Sequence, residues 1–296
     1  MGSERRQIKK IGLVYSGGLA RGAAELAYAK QIIEKIGMDK VAVISASSIG
    51  ALNAYATSCN HIDQMLYAYK NIDADDKLAF MKQIRRGLFN SIFKQVEGKQ
   101  MLMPVYVSGT KIFQLVPHYF CLNKMPRSDI KKAINVSMAF PLINGPHRFN
   151  GGIYIDGGAT DNVPTYPMNY FDVDMIIILH CYPKYYPPAE LYEAKKNTVI
   201  VDADVTLSLD KKVTSFSLSR ENFIYMIEKA TVAGKEFADA IFQDGDFDYE
   251  RVQKRCYEYT NAKMHARHIK NGDGLMSLVD ILNALYRVKE DSWDRS

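Results

Sequence analysis

The sequence predicts an α/β fold, a mostly parallel β-sheet covered by helices, and three observations predict it. Short apolar runs at Ile11 to Tyr15, Val41 to Ile44 and Met175 to Leu179 lack the polar alternation of a half-exposed strand, as strands buried on both faces do. The first two end in small, glycine-bearing joints, Ser16-Gly17-Gly18 and Ser45-Ala46-Ser47-Ser48-Ile49-Gly50. Helical stretches follow both joints: Gly22 to Gly37, rich in Ala, Leu, Glu and Lys, and Ala51 to Ser58. Strand, helix, strand, helix with short connections is the pattern of parallel strands joined by crossover helices.

Further elements follow in order. His61 to Gln100 has a helical, basic pattern, and Pro104 to Val107 reads as a strand. A helix is expected from Ser128, whose side chain can cap it, to about Met138, stopped before Pro141. Ile153 to Ile155 is another short strand. The C-terminal part, about 215–290, is mostly helical, with Glu221 to Phe242, Tyr249 to Lys270 and Leu275 to Val288 as its segments. No internal repeat, low-complexity tract or linker divides residues 1–296, so a single domain is expected.

Composition narrows the function classes. Of 296 residues, 47% are hydrophobic and 24% charged, enough for a sizeable core. The net charge of +5, from 38 basic and 33 acidic residues, is too small a surplus to argue for nucleic acid. Cys59, Cys121, Cys181 and Cys256 lie about sixty or more residues apart with no C-x-x-C pair, which suggests neither a zinc site nor a disulfide framework. No apolar run approaches the ~20 residues of a membrane-spanning helix. The start Met1-Gly2-Ser3-Glu4-Arg5-Arg6 is charged, the apolar stretch after it is shorter than a signal-peptide core, and Arg6 departs from the myristoylation pattern, so neither feature is expected. Asn135-Val136-Ser137 is a glycosylation sequon that matters only in an exported protein. The expectation is a cytoplasmic protein that touches membranes, if at all, from outside.

Three motifs carry candidate chemistry. Ala46-Ser47-Ser48-Ile49-Gly50 joins a strand to a helix, the context of a G-x-S-x-G nucleophile elbow, in which small residues flank the serine because neighbouring backbone comes close. Ser48 would then stand at a helix N-terminus, where N–H groups favour an oxyanion. The competing reading is that Ser45, Ser47 and Ser48 only cap that helix. Gly17-Gly18-Leu19-Ala20-Arg21-Gly22 is a turn able to present backbone N–H groups to an anion, or simply a flexible turn. It is not a dinucleotide loop, because Leu19 occupies a required glycine and Ser45 stands where an acidic residue would end the second strand. It is not a P-loop either, since no Gly-Lys-Ser/Thr follows. Asp156-Gly157-Gly158-Ala159-Thr160-Asp161-Asn162-Val163-Pro164 puts a carboxylate at a strand end, as a base or as an ordinary turn.

A strand-end serine, a donor-rich loop and a strand-end carboxylate can converge at one edge of a parallel sheet. Together they resemble the patatin-like phospholipase family, whose pattern is G-G-G-x-R/K-G, then G-x-S-x-G, then D-G-G/A. The resemblance runs from about residue 11 to 170 and includes Ser48-Ile49-Gly50-Ala51-Leu52-Asn53-Ala54 and Ser137-Met138-Ala139-Phe140-Pro141. It implies a three-layer α/β/α sandwich and a serine–aspartate dyad: Ser48 as nucleophile, Asp156 as its base. It also implies an oxyanion hole from backbone N–H groups of Gly17, Gly18 and Leu19, with Arg21 shaping or charging the loop. Leu19 replaces the third glycine, Ala46 replaces the first glycine of the elbow, and Glu25 stands where many relatives have histidine.

The implied activity is lipid acyl hydrolysis through an acyl-enzyme, without metal or organic cofactor. A calcium ion at Asp156 and Asp161 would fall short of its six or more oxygen ligands. The alternatives are a short-chain esterase or an acyltransferase on the same site, or a lipid-binding homologue with little turnover. The order Ser48, Asp156, His180 mimics an α/β-hydrolase triad, but those elbows follow several strands, whereas this one follows the second. Finally, Phe80, Met81, Ile84, Leu88, Ile92, Phe93 and Val96 recur at helical spacing among Lys82, Arg85, Arg86 and Lys94. This stripe either rests on anionic lipid or covers the sheet, and Gly87 interrupts it.

Overall fold

The computed structural model describes residues 5–271, apart from 86, 99, 142–143 and 184. The helix expected over Leu275 to Val288 lies outside the described residues. The elements run β1 (Ile11–Tyr15), α1 (Gly22–Ile36), β2 (Val41–Ala46), α2 (Ile49–Ser58), α3 (Ile62–Lys70), α4 (Lys77–Arg85), α5 (Leu88–Val96), β3 (Val105–Lys111) and β4 (Val116–Cys121). Then come α6 (Arg127–Ser137), β5 (His147–Phe149), β6 (Gly152–Asp156), β7 (Met175–His180), α7 (Ala189–Ala194), β8 (Val199–Asp204), α8 (Arg220–Ile241) and α9 (Tyr249–Asn271).

The strands form one mixed sheet in the order β5-β6-β3-β2-β1-β7-β8, with β4 also paired to β3. From β3 to β8 neighbouring strands are parallel, and β4, β5 and β6 add antiparallel pairs at one side. Strand alternation sorts the core into two faces. Ile11, Leu13 and Tyr15 enter a large cluster with residues of α1, α2, α3, α6 and α8, whereas Val14, Val43, Ile176 and Ile178 meet Met168 and Leu191 on the other face. The sheet therefore has helices on both faces, but the layers are unequal: the second face is covered by α7 and the short turn Tyr166–Tyr170. Close approach demands glycine within the thick layer, since a Cβ on Gly234 of α8 would lie 2.7 Å from the Tyr28 carbonyl oxygen of α1.

Two expectations are corrected. The helix expected to be capped by Ser128 begins at Arg127, and its cap position is Pro126, at φ −56° and ψ 144°; the ring fixes the entry angle and Ser128 sits inside the first turn. The helical stretch from His61 to Gln100 is three helices. The break between α4 and α5 falls at Gly87, whose φ of +94° is a left-handed conformation that ends one helix and starts another.

The register of β3 positions the site. The end of β2, Ala46, lies opposite Val107. Two residues further along β3, Gly109 pairs with Asp156, the last residue of β6, which runs the opposite way. β2 and β6 thus approach each other end to end along one side of β3, while β4 occupies its other side.

Candidate active site

Ser48 follows β2 by two residues and immediately precedes α2. Its φ of 53° and ψ of −130° are strained for a residue with a Cβ, the backbone expected of an elbow. The capping alternative does not hold for Ser48, whose side chain makes no helix-cap hydrogen bond. Instead its Oγ donates to Asp156 Oδ2 at 2.6 Å. The Ser48 N–H donates to Ser137 Oγ at 3.0 Å, which anchors the elbow to the end of α6. Gly50 is required by space, since a Cβ there would sit 2.5 Å from the Ser16 carbonyl oxygen. Ala46 needs no glycine: it is an ordinary buried strand residue paired with Tyr15 and Val107. Ile49 packs where a side chain on Gly22 would go, 2.6 Å from its Cβ position.

Asp156 is held from three sides. Its N–H donates to the Ala139 carbonyl (2.9 Å), its carbonyl accepts from Thr110 Oγ1 (2.9 Å), and its Oδ1 accepts the Gly158 N–H (2.8 Å). Gly157 passes so close to β3 that a Cβ would lie 2.2 Å from Ser108 Oγ. Burial raises the Asp156 carboxyl to about 6, against the opposing hydrogen bonds from Ser48 and Gly158. Asp161 serves a different partner, its Oδ2 accepting the Tyr119 hydroxyl.

The glycine loop lies against the serine. A Cβ on Gly17 would meet Ser48 Cβ at 2.9 Å and Asn162 Oδ1 at 2.3 Å. Gly17 is not a free donor, contrary to expectation, because its N–H is bound to the Asn162 carbonyl at 3.0 Å while Asn162 Nδ2 donates back to the Gly17 carbonyl. The Gly18 and Leu19 N–H groups have no protein acceptor among the described residues. Leu19 keeps the left-handed backbone that glycine would favour, at φ 49°, a cost of roughly 1 kcal/mol. Arg21 shapes the loop: its guanidinium donates to the carbonyls of Val213 (2.7 Å) and Cys181 (3.4 Å).

Glu25 supports this loop from below. Fully buried, its Oε1 accepts both the Ser16 N–H (2.7 Å) and the Ser16 hydroxyl (2.8 Å), and Ser16 Oγ in turn accepts the Cys181 N–H. Burial raises its carboxyl to about 8, only partly offset by the bonds from Ser16.

Ser48 and Asp156 open into a pocket of about 500 Å³, continuous with solvent and walled by Leu19, Tyr69, Ile72, Phe80, Ile92 and Phe223. Phe223 organises the wall, with its ring 5.8 Å from that of Tyr69 and 5.9 Å from that of Phe80. The apolar stripe of α4 and α5 is therefore turned inward. Phe80, Ile84, Ile92, Phe93 and Val96 are buried, so the stripe covers the core and pocket and is not a lipid-facing surface.

His180 is not between serine and aspartate. Buried at the end of β7, its Nε2 faces Asp202 Oδ2 and Arg267, both at 3.3 Å, in a cluster with Lys263 and Asp204 that fastens α9 to β7 and β8. Burial would raise the Asp202 carboxyl, yet Lys263, His180 and Arg267 together hold it well below the usual range. Ser137, Thr110, Ser16 and Asn162 also shape the site, though none was singled out as a candidate: Ser16, Ser137 and Asn162 lay inside quoted segments, and Thr110 lies on β3 beyond the expected strand Pro104 to Val107.

A family model for patatin-like phospholipases matches residues 13–168. Among curated proteins, "Probable lipid hydrolase 463L" of Invertebrate iridescent virus 6 is 26% identical over 178 residues, covering 51% of this chain and 61% of the relative. An uncharacterized protein of Acanthamoeba polyphaga mimivirus is 27% identical over 201 residues, covering 57% of this chain and 63% of the relative. The chain thus spans less than two thirds of the length of either. Among solved structures it is similar to VipD from Legionella pneumophila (TM-score 0.46, 13% identity, 78% of this chain and 67% of that one). It is also similar to the ExoU–SpcU complex of Pseudomonas aeruginosa (TM-score 0.39, 15% identity, 98% of this chain and 62% of that one). With more than half of its residues matched by the family model, the chain belongs to the patatin-like phospholipase family.

Proposed function

We propose that the chain hydrolyses carboxylic ester bonds of lipids through a Ser48–Asp156 dyad. The observation that carries this reading is the 2.6 Å hydrogen bond from Ser48 Oγ to Asp156 in the lining of an apolar pocket. Ser48 Oγ attacks the ester carbonyl as its proton passes to Asp156, the tetrahedral oxyanion accepts hydrogen bonds from the Gly18 and Leu19 N–H groups, and the alcohol leaves with the proton. Asp156 then takes a proton from water as the water attacks the acyl-enzyme carbonyl, and returns it to Ser48 Oγ as the ester bond breaks and the fatty acid leaves. A carboxyl titrating near 6 is ionised at neutral pH and yet a stronger base than an exposed aspartate.

Membership of the family and the similarity to a probable viral lipid hydrolase support lipid hydrolysis in general terms. The described residues contain no helix long and apolar enough to cross a membrane. We also propose that the described chain is one domain, since α8 and α9 pack on α1 and β8. Short-chain esterase and acyltransferase readings use the same atoms and differ in which ester is accepted and which nucleophile resolves the acyl-enzyme. A lipid-binding homologue would leave Ser48 inert. Incubation with a fluorophosphonate separates the enzyme readings from the binding homologue: labelling at Ser48, absent from Ser48→Ala, is expected, and folded protein that resists labelling would favour the binding homologue.

A further inference from the structure

We infer that the turn joining β3 to β4 is a lipid-surface anchor that seats the catalytic edge of the sheet on a bilayer. This rests on the lipid hydrolase reading for its purpose but not for its geometry. The turn, Ile112-Phe113-Gln114-Leu115, is apolar where tight turns favour Gly, Asn, Asp or Pro. Phe113 is 82% exposed, Leu115 66% and Val116 44%, so the described residues leave the tip uncovered. Leu115 holds a φ of 49°, a conformation that Asn or Gly would adopt with less strain. An apolar side chain is thus kept at the tip where neither core packing nor backbone preference favours it.

The tip has a defined position relative to the reaction. β3 runs parallel to β2, and Lys111 lies four residues past Val107, the partner of the last residue of β2. At about 3.3 Å per residue, β3 projects roughly 13 Å beyond β2 on the side of Ser48, and the turn stands farther out. The β5–β6 turn, Asn150-Gly151, points the same way, because Lys111 pairs with Tyr154 and the Ile112 N–H donates to the Ile153 carbonyl. The two hairpins therefore form a four-stranded projection whose base is the Gly109–Asp156 pair. The chain from the pocket enters it directly, since Phe140 and Asn144 line the pocket and β5 starts at His147.

Charge selects the occupant. Beyond its base at Asp156, the projection is made of segments 105–121 and 144–155, which contain Lys111, Arg148, His118 and His147 but no Asp or Glu. Lys111 and Arg148 pair with no carboxylate among the described residues. An apolar tip with cationic flanks matches the interface of an anionic bilayer, where aromatic and aliphatic side chains insert and the cations meet headgroup phosphates.

The test is co-sedimentation of the protein with phosphatidylcholine vesicles, with and without phosphatidylserine, comparing wild type with Phe113→Ser/Leu115→Asn. Partitioning of the double variant is expected to fall about tenfold or more, the loss expected for two apolar side chains withdrawn from water. Its melting temperature should be at or slightly above the wild-type value, since Asn relieves the left-handed backbone at position 115, and its turnover of water-soluble p-nitrophenyl butyrate should stay at the wild-type level. Lys111→Gln/Arg148→Gln should weaken binding only to vesicles containing phosphatidylserine. Equal partitioning of wild type and the double variant, or no partitioning of wild type, would overturn the anchor. So would a wild-type dimer on gel filtration that the double variant abolishes without change in vesicle binding, since the tip would then serve a second copy. Ser48→Ala should bind vesicles normally, so failure of the hydrolase reading and failure of the anchor give different results.

Discussion

Ser48 and Asp156 meet because two strands of opposite direction end at the same place on β3: Ala46 closes β2 opposite Val107, and Asp156 closes β6 opposite Gly109. The hydroxyl then reaches the carboxylate at 2.6 Å with no histidine between them. Both groups are nearly buried, with 7% and 6% exposure, so the contact is made in a poorly hydrated place where a charge is costly and hydrogen bonds count strongly.

The pH dependence follows from that burial. With the Asp156 carboxyl raised from 3.8 to about 6, kcat/KM should rise with pH, be half-maximal near pH 6, level off roughly one unit higher and show one ionisation on the acid limb. A pH–rate profile on a soluble ester checks this; a limb centred near 4 would mean that the base is not this carboxyl.

Asp156→Asn should lower kcat by roughly 10²–10⁴ through loss of the base. It should also raise stability at pH 8. The folded state binds the Asp156 proton more tightly than the unfolded chain does, so stability falls as pH rises from 3.8 towards about 6, and the penalty is full above that window. Calorimetry at pH 8 should give the variant the higher melting temperature, with the difference vanishing at pH 3.

Glu25 makes an analogous case away from the reacting atoms. Its carboxyl, raised from 4.5 to about 8, favours the folded state most below 4.5, and that contribution drains away as pH rises to about 8. Glu25→Gln keeps an acceptor for Ser16 without the titration, so it should be the more stable protein at pH 9 and close to wild type at pH 4. Melting temperatures across that range read the difference directly.

Gly17→Ala tests the fit of the loop to the serine. The added carbon has Asn162 Oδ1 at 2.3 Å and Ser48 Cβ at 2.9 Å, so loop or elbow must move. Displacement near 1 Å should cost about 10²-fold in kcat, measured on a soluble ester with thermal melts as the folding control.

Much of this site was legible in the sequence, for physical reasons. Strands β1, β2 and β7 are apolar runs because both of their faces are covered, and Gly17 and Ser48 follow strands, and Asp156 ends one, at joints that must turn sharply. What escaped was polar or relational. β4 contains Pro117 and His118 and lies at an edge, and β8 ends in Asp202-Ala203-Asp204, whose carboxylates are paired by Lys263 and Arg267 more than fifty residues away. Neither looks like a strand locally. The use of the Gly17 N–H by Asn162 could not be read from a glycine count, and neither could Ser137 as acceptor for the Ser48 N–H, since both depend on where distant segments land. The stripe of α4 and α5 has the same periodicity whether it faces lipid or core, and only packing decides.

The central claim is that Ser48 becomes acylated during turnover. Acid quenching of the protein during reaction with an aryl ester, followed by mass spectrometry of its peptides, tests this most directly. The predicted result is an acyl adduct on the peptide bearing Ser48 that is absent from Ser48→Ala, together with loss of turnover in that variant. Turnover that persists in Ser48→Ala, or an adduct on a different residue, would contradict it.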